Sequence, residues 1–335
     1  MSTLRVGIIG TGAIGVQHLL RIHNKLQGAE VVGVNDYSRE AAEKAAALID
    51  AKVYESPEAL INSPEVDAIV VTSPGFAHAA SVLEAIKVGK PVFTEKPLST
   101  SAADSKSIVD AEIAGGKKLV QVGFMRRYDT GYIQLKNLID SGKYGEPLLI
   151  KGAHRNPTVD TNYITAYAVH DTAIHEIDVL HWLVGANWVS AQVIIGKQTK
   201  YTHGALRDPQ TMILIGDTGL VVTLEVNVNC QFGYDIQCEV VTESAALRLP
   251  NPSFPIVKSE ETESVKILND WADRFIDAYD VELQDWIDST LKGEVNGPTA
   301  WDGYLANLTA DALVAAQESG NVEAIAAGTT PAFYA

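Results

Sequence analysis

Basic residues are in short supply along this 335-residue chain: 26 Lys and Arg stand against 42 Asp and Glu, for a formal net charge of −16. No basic stripe offsets that excess, which argues against a nucleic-acid partner. Long apolar runs are missing too. No stretch approaches the roughly 18 apolar residues that a membrane span requires, so no membrane partner is expected. The opening MSTLRVGIIGTGAIG has no lysine-rich lead, and glycines break its short apolar run, so no signal peptide is expected. There are only two cysteines, Cys230 and Cys238, at a spacing that fits neither a CxxC pair nor a zinc pattern. Both fall in strand-like sequence and read as buried reduced thiols. Together these absences point to a soluble, cytoplasmic enzyme or binding protein.

At roughly 150 residues per domain, the length fits two domains, each able to bury a core. Over residues 1–122 short, largely apolar runs (RVGIIG, EVVGVND, AIVVTSP, PVFTEKP, LVQVGF) alternate with amphipathic stretches such as SREAAEKAAALID and FAHAASVLEAIKVG. That rhythm predicts βαβ units in a parallel sheet covered on both faces. From residue 123 onward the period changes. LVVTLEVNVN (220–229) sets Val222, Leu224, Val226 and Val228 against Thr223, Glu225, Asn227 and Asn229, and DIQCEVV (235–241) continues the alternation. This predicts antiparallel sheet with one face on a core and a polar face toward solvent, a ligand or another subunit. Two helical segments, DWADRFIDAYDVELQDWIDSTL and TAWDGYLANLTADALVAAQES, close the chain, and KSEETES (258–264) reads as a polar, mobile loop.

The stretch GTGAIG places Gly10, Gly12 and Gly15, with Ala13 and Ile14 between them, after one strand and at the head of the helical pattern VQHLLRIHNKL. A GxGxxG alone is weak. Here strand, turn and helix flank it, and Asp36 ends the next strand about 20 residues on. The glycines would permit a tight turn, close approach of a pyrophosphate and close helix–sheet packing, with the phosphates at the helix N-terminus. The Asp36 carboxylate would accept from a ribose hydroxyl and repel a 2′-phosphate, so NAD is the expected cofactor. Arg39 is near enough to receive such a phosphate and keeps NADP open.

FTEKPLST puts Lys96 at the carboxyl end of a parallel strand, where ligands bind in such sheets. The competing reading is a solvated lysine paired with Glu95, since lysine ordinarily lies on the surface. The isomer of the Lys96–Pro97 bond stays open from sequence.

HDTAIHEID (170–178) crowds two histidines and three acids into nine residues. At about 100° per residue, Asp171, His175 and Asp178 share one narrow helical face, away from Ile174, Ile177 and Leu180. Three readings compete. The face is simply polar, with one Asp–His pair; or it binds a metal, which the lack of an HExxH order or a completing Cys/His set disfavours, so no metal is expected; or it is a proton relay. In the relay His175 takes a hydroxyl proton, Asp171 supports the imidazolium, and Lys96 supplies positive charge beside the reacting oxygen. Oxidation of an alcohol by a dinucleotide needs such a set.

GTGAIGVQH, FTEKPLST and HDTAIHEIDVLHW together resemble the glucose–fructose oxidoreductase/inositol dehydrogenase/rhizopine catabolism family, and the resemblance covers almost the whole chain. QVGFMRRYD, AHRNPTV, FGYDIQCEVV and GPTAWDGYLA resemble its inositol-oxidising bacterial branch. The resemblance implies an α/β fold: an N-terminal Rossmann doubly wound parallel sheet over 1–122, then a C-terminal α/β domain over 123–335 with a large open, mostly antiparallel sheet. The C-terminal helix is expected to return to the first domain, and the exposed sheet face to build a homotetramer. It also implies NAD-dependent oxidation of a small polyol, myo-inositol first, with scyllo-inositol or another polyol as the alternative. A non-catalytic NAD or sugar sensor is the alternative of another class, disfavoured because the lysine and histidine are both present. The catalytic set implied is Lys96, Asp171 and His175. Met125, Arg126, His154, Asn156, Thr172, Asp178 and Tyr234 are implied around the substrate, and Ser73, Pro74, His78, Glu95 and Lys96 beside the cofactor. His170, Glu176 and His181 receive no role.

Overall fold

Strands without a polar face must be covered on both sides, and the apolar runs of the N-terminal region are. The computed structural model describes residues 3–335. One unit of it comprises the chain up to Met125, Tyr279–Asn307 and Gly328–Ala335. Its strands are β1 (Leu4–Ile9), β2 (Ala29–Asn35), β3 (Lys52–Val53), β4 (Ala68–Val71), β5 (Val92–Glu95) and β6 (Val120–Gly123). They form one parallel sheet in the order β3-β2-β1-β4-β5-β6. Every residue of β4, β5 and β6 is buried. Helices α1 (Ala13–Asn24), α2 (Arg39–Ala46), α3 (Pro57–Ile61), α4 (His78–Lys87) and α5 (Ala102–Gly115) connect them. Ser38, Ser56 and Ser101 cap α2, α3 and α5, each hydroxyl accepting a backbone N–H of the first turn. The strand order reverses between β1 and β4, and a crevice opens at the carboxyl ends of a sheet wound this way.

The turn between β1 and α1 depends on missing side chains. Gly10 has φ +96°, and a Cβ on it would collide with the Ser73 backbone. A Cβ on Gly15 would collide with the Gly10 carbonyl and the Thr72 hydroxyl. The helix thereby seats tightly on the sheet, and Leu19 and Ile22 join Val6, Ile8 and Phe93 in the core.

The other unit comprises Arg126–Ala278 and Leu308–Ala327. It contains α6 (Thr130–Asp140), β7 (Pro147–Arg155), α7 (Ile174–Val184), β8 (Trp188–Ile194), β9 (Gln210–Gly216), β10 (Val221–Asn227), β11 (Asp235–Thr242), β12 (Ala246–Arg248), β13 (Ile256–Ser259) and β14 (Thr262–Val265). After α8 (Trp271–Lys292) and α9 (Ala300–Ser319), whose residues are divided between the units, a two-residue β15 (Glu323–Ala324) follows. Seven strands form one sheet, β12-β11-β7-β10-β9-β8-β15. Val222, Leu224 and Val226 of β10 are buried and Val221 and Thr223 exposed, as the alternation predicts. The sheet is mixed rather than antiparallel throughout, because β10 pairs parallel with β7.

Two local expectations are corrected. KSEETES is no loop: it lies in the hairpin of β13 and β14, turning through Glu260 and Glu261, both at positive φ. Every residue of that hairpin is exposed, so no burial pattern marks it in sequence. Cys238 is buried in β11, but Cys230 lies beyond the end of β10 and is only half-buried; both are free thiols.

The packing at Gly15 gives an expected outcome. Gly15→Ala should lower the unfolding free energy by about 1–3 kcal/mol through overpacking. An unchanged thermal midpoint would show that α1 can shift without cost.

Candidate active site

The first helix begins without a lid. Gly12 is the N-cap of α1, no side chain caps that end, and the space where its Cβ would stand is open to 4 Å. The first N–H groups of α1 and the positive end of its dipole thus face room for an anion. At the end of β2, Asp36 is held on both oxygens. Oδ2 accepts the Thr11 backbone N–H at 2.6 Å and the Thr11 hydroxyl at 3.1 Å, while Oδ1 accepts the Ser38 N–H at 2.8 Å. This orients the carboxylate and leaves lone pairs for ribose hydroxyls. Arg39 is engaged with Glu43 one turn along α2, Nε to Oε1 2.8 Å, on the exposed helix surface. These residues fit the pyrophosphate and adenosine ribose of NAD.

At the ends of β4 and β5 the structure places Ser73, Pro74, Glu95 and Lys96, with Pro74 exposed, Ser73 and Lys96 half-buried and Glu95 buried. The Lys96–Pro97 bond is cis. His78, expected beside the cofactor, instead lies buried with Nε2 2.7 Å from the Ser73 carbonyl and Nδ1 2.7 Å from the Pro97 carbonyl. Burial lowers its proton affinity against the pull of those two carbonyls. A neutral imidazole carries one N–H, which goes to one of these two carbonyls, so His78 sits between the β4 and β5 loops with both ring nitrogens facing backbone.

In the other unit HDTAIHEID departs from a regular helix. Ala168–Ala173 is π-helical, and the Ile174 N–H reaches the Val169 carbonyl five residues back. A wheel drawn at 3.6 residues per turn therefore fails across Asp171. Asp171 is exposed, whereas every residue from Thr172 to Leu180 is buried, so His175 and Asp178 do not share a wet face with it. The Thr172 hydroxyl is 2.6 Å from that of Tyr163, which donates to the Tyr167 carbonyl at 2.7 Å. Burial first, then Asp171, raises the Tyr163 phenol well above its ordinary value. Tyr163 has no signal in the sequence, since a tyrosine in a polar loop reads as ordinary surface.

Glu176, given no role from sequence, organises the interior. It is 2% exposed and takes Arg126 Nη1 on Oε1 and His154 Nδ1 on Oε2, the latter at 2.9 Å. Burial pushes its proton affinity up, but Arg126 and His154 outweigh that and hold the carboxyl below its ordinary value. Arg126 is 1% exposed, lies over the Phe275 ring and comes within 3.2 Å of His154 Nδ1. The Arg126 guanidinium meets protein partners at Nη1 and Nη2, while its buried Nε has no hydrogen-bond partner among the described residues. Asp178 is likewise gripped by Arg127, Nε to Oδ2 at 2.9 Å and Nη2 to Oδ1 at 2.5 Å. The His154 ring stands 5.6 Å from Tyr234, edge to face, and 6.4 Å from His175. Burial raises the Tyr234 phenol to about 12, so it stays a hydrogen-bond donor at neutral pH. Met125 is buried, and the half-buried Asn156 is fixed by its backbone N–H to the Asn227 carbonyl at 2.9 Å. A charged residue among Ile174, Ile177 and Val179 was the available signal for Glu176, since buried acids are almost always paired.

The first unit sets the class: a dinucleotide-binding Rossmann sheet carrying an open phosphate turn and a ribose-directed carboxylate, the cofactor half of an oxidoreductase. The chain belongs to the Gfo/Idh/MocA oxidoreductase family, whose NAD-binding Rossmann profile matches residues 4–124 and whose C-terminal α/β profile matches residues 136–324. It is 55% identical over 335 residues to the inositol 2-dehydrogenase of Azotobacter vinelandii, spanning 99% of each chain. It is 50% identical to the inositol 2-dehydrogenase/D-chiro-inositol 3-dehydrogenase of Halalkalibacterium halodurans, over 99% of this chain and 96% of that one. Its fold matches the crystal structure of myo-inositol dehydrogenase from Lactobacillus casei in complex with NAD(H) and myo-inositol, with TM-score 0.98 and 43% identity over 99% of this chain and 100% of that chain.

Two outcomes follow from this geometry. Gly12→Ala should cost less than about 1 kcal/mol of stability, yet raise the NAD dissociation constant at least about tenfold by filling the phosphate space; titration calorimetry showing unaltered NAD binding would remove Gly12 from the site. Glu176→Gln should destabilise the fold by about 3 kcal/mol at pH 7, because it leaves Arg126 buried without its counter-charge. The Glu176 carboxyl is depressed in the folded state, so its contribution is complete above the ordinary value of 4.5 and disappears as pH falls through the lower folded value. Denaturant curves from pH 7 down to 3 should converge for wild type and variant; a constant gap would contradict the pairing.

Proposed function

We propose that this chain is an NAD-dependent inositol 2-dehydrogenase, oxidising myo-inositol to 2-keto-myo-inositol. The observation that carries the reading is the full-length match, at TM-score 0.98 and 43% identity, to a myo-inositol dehydrogenase in complex with NAD(H) and myo-inositol. The 55% identity to an inositol 2-dehydrogenase supports it. NAD, when bound, supplies the nicotinamide that accepts a hydride from the carbinol carbon. In this reading His175 takes the hydroxyl proton, Asp171 supports the resulting imidazolium, and Lys96 stabilises the developing alkoxide with its positive charge. Removing the proton as the hydride leaves makes the carbonyl, so a base and a cation are what the protein must contribute. His154, Thr172 and Tyr234 are assigned to the remaining hydroxyls of the ring, with Met125 and Asn156 bordering them. Arg126 and Asp178 act by holding their buried partners.

The same proposal extends to a homotetramer in the cytoplasm. Its support is the charged ladder on one face of the seven-stranded sheet, where Arg155 bridges Glu225 and Asp235, together with two free cysteines. Oxidation of scyllo-inositol gives the same ketone as oxidation of the axial hydroxyl of myo-inositol, so kcat/KM must be compared for myo-, scyllo- and D-chiro-inositol with both NAD and NADP. Myo-inositol with NAD should give the highest value.

Replacing Lys96 by Met or His175 by Asn should cut kcat by at least about a thousandfold while NAD binding persists. Turnover at wild-type rate in both variants would end the assignment of these roles.

A further inference from the structure

Helix α1 buries two polar side chains one turn apart. His18 is fully buried and Arg21 is 8% exposed, on the face that otherwise packs Leu19 and Ile22 into the core. Buried polar groups cost stability unless they are satisfied, and this pair is satisfied in a directional way. Arg21 Nη1 donates to His18 Nδ1 at 2.9 Å. A guanidinium has donors only, so Nδ1 must accept and the ring proton sits on Nε2. Nε2 lies 2.8 Å from Glu95 Oε1, to which it donates. The second oxygen of the same carboxylate, Oε2, accepts the Lys96 backbone N–H at 3.1 Å. Glu95 is thus held at one oxygen by α1 and at the other by the strand-end lysine.

The far side of the chain is anchored as firmly. Arg21 Nε donates to Asp280 Oδ1 at 2.6 Å, its guanidinium lies 5.2 Å from the Tyr279 ring centroid, and Lys25 donates to Asp280 Oδ2 at 2.7 Å. Phe93 and Tyr279 flank the imidazole at 5.9 and 5.6 Å, which prevents it from turning. An arginine does not release a proton at physiological pH, so the series Lys25–Asp280–Arg21–His18–Glu95 cannot conduct protons from the surface. What it transmits is position.

We propose that His18, set in one tautomer by Arg21, is a positioning residue that fixes the Glu95–Lys96 strand end for turnover. The inference rests on the reading above in which Lys96 acts on the substrate oxygen.

Two substitutions of one residue separate positioning from packing. In His18→Asn the amide oxygen can still accept from Arg21, but no donor reaches Glu95. In His18→Gln the amide nitrogen reaches as far as Nε2 and can donate to Glu95. Steady-state kinetics with myo-inositol and NAD should show kcat reduced about 10- to 100-fold in His18→Asn, the scale expected when a catalytic group is misplaced by a fraction of an ångström. Both KM values should stay within about threefold, and His18→Gln should recover most of the lost kcat. Equal losses in the two variants would mean packing alone, and wild-type kcat in His18→Asn would mean no role; either overturns the inference. Should His18→Asn not fold, Arg21→Met retains the imidazole but releases its tautomer, and an undiminished kcat there also overturns it. Lys96→Met separates the two levels. If that variant is inactive while His18→Asn turns over normally, only the His18 inference falls; if it remains active, the assignment of Lys96 falls.

Discussion

The exclusion of any side chain at Gly10 and Gly15 is the constraint on which the first unit depends. It brings α1 against β1 and β4 closely enough that the Thr72 hydroxyl bonds the Gly10 carbonyl at 2.6 Å beneath the helix. With that seat fixed, the two ends of α1 do different work. Its N-terminus opens at Gly12 with unsatisfied N–H groups, the electrostatic feature a pyrophosphate needs. Further along, the inward face carries His18 to Glu95 as well as Leu19 and Ile22 to the core. Cofactor recognition and the geometry of the β5 end are therefore set by one helix, positioned by one steric condition.

The second unit relies on charge rather than on close backbone approach. Arg126 with Glu176 and Arg127 with Asp178 place four ionic groups in an interior where the desolvation penalty is large. Such pairs are a poor route to stability, because apolar residues of the same volume often do as well. What they supply is direction. Glu176 fixes the ring of His154, and Arg127 fixes the carboxylate of Asp178 at both oxygens. A π-helical turn over Ala168–Ala173 precedes the helix here, with an exposed acid at Asp171 and a buried imidazole four residues on at His175.

Much of the fold was legible because it rests on local patterns. Strands buried on both faces read as short, largely apolar runs, and five of the six parallel strands appear that way; β3, with two residues, is too short to carry a pattern. Alternation showed that β10 was half-buried but not that β7 would run parallel to it, since strand direction leaves no mark on side-chain period. At the site the division is similar. The glycine turn and Asp36 are contiguous motifs and could be read. The partners of Glu176 arrive from residues 126 and 154, and those of His78 from 73 and 97, so their roles depend on the folded chain. The helical wheel assumes a constant pitch, which the π turn at Ala168–Ala173 interrupts, and no composition cue announces such a turn.

Both units hold a buried histidine between an arginine and a glutamate, and the difference between the two arrangements separates their functions. In Arg21–His18–Glu95 the two partners occupy opposite ring nitrogens, so the imidazole is wholly committed and can act only by holding something else. In Arg126–His154–Glu176 both partners converge on Nδ1. The carboxylate is the nearer and the only acceptor of the two, so Nδ1 carries the proton that it takes, and Nε2 lies outside that pair. The same three residue types thus give a fixed strut in one unit and, in the other, a ring held at one nitrogen only by that pair. Which result is obtained is decided by the ring nitrogen each charge reaches, a property of backbone geometry that residue identity alone does not encode.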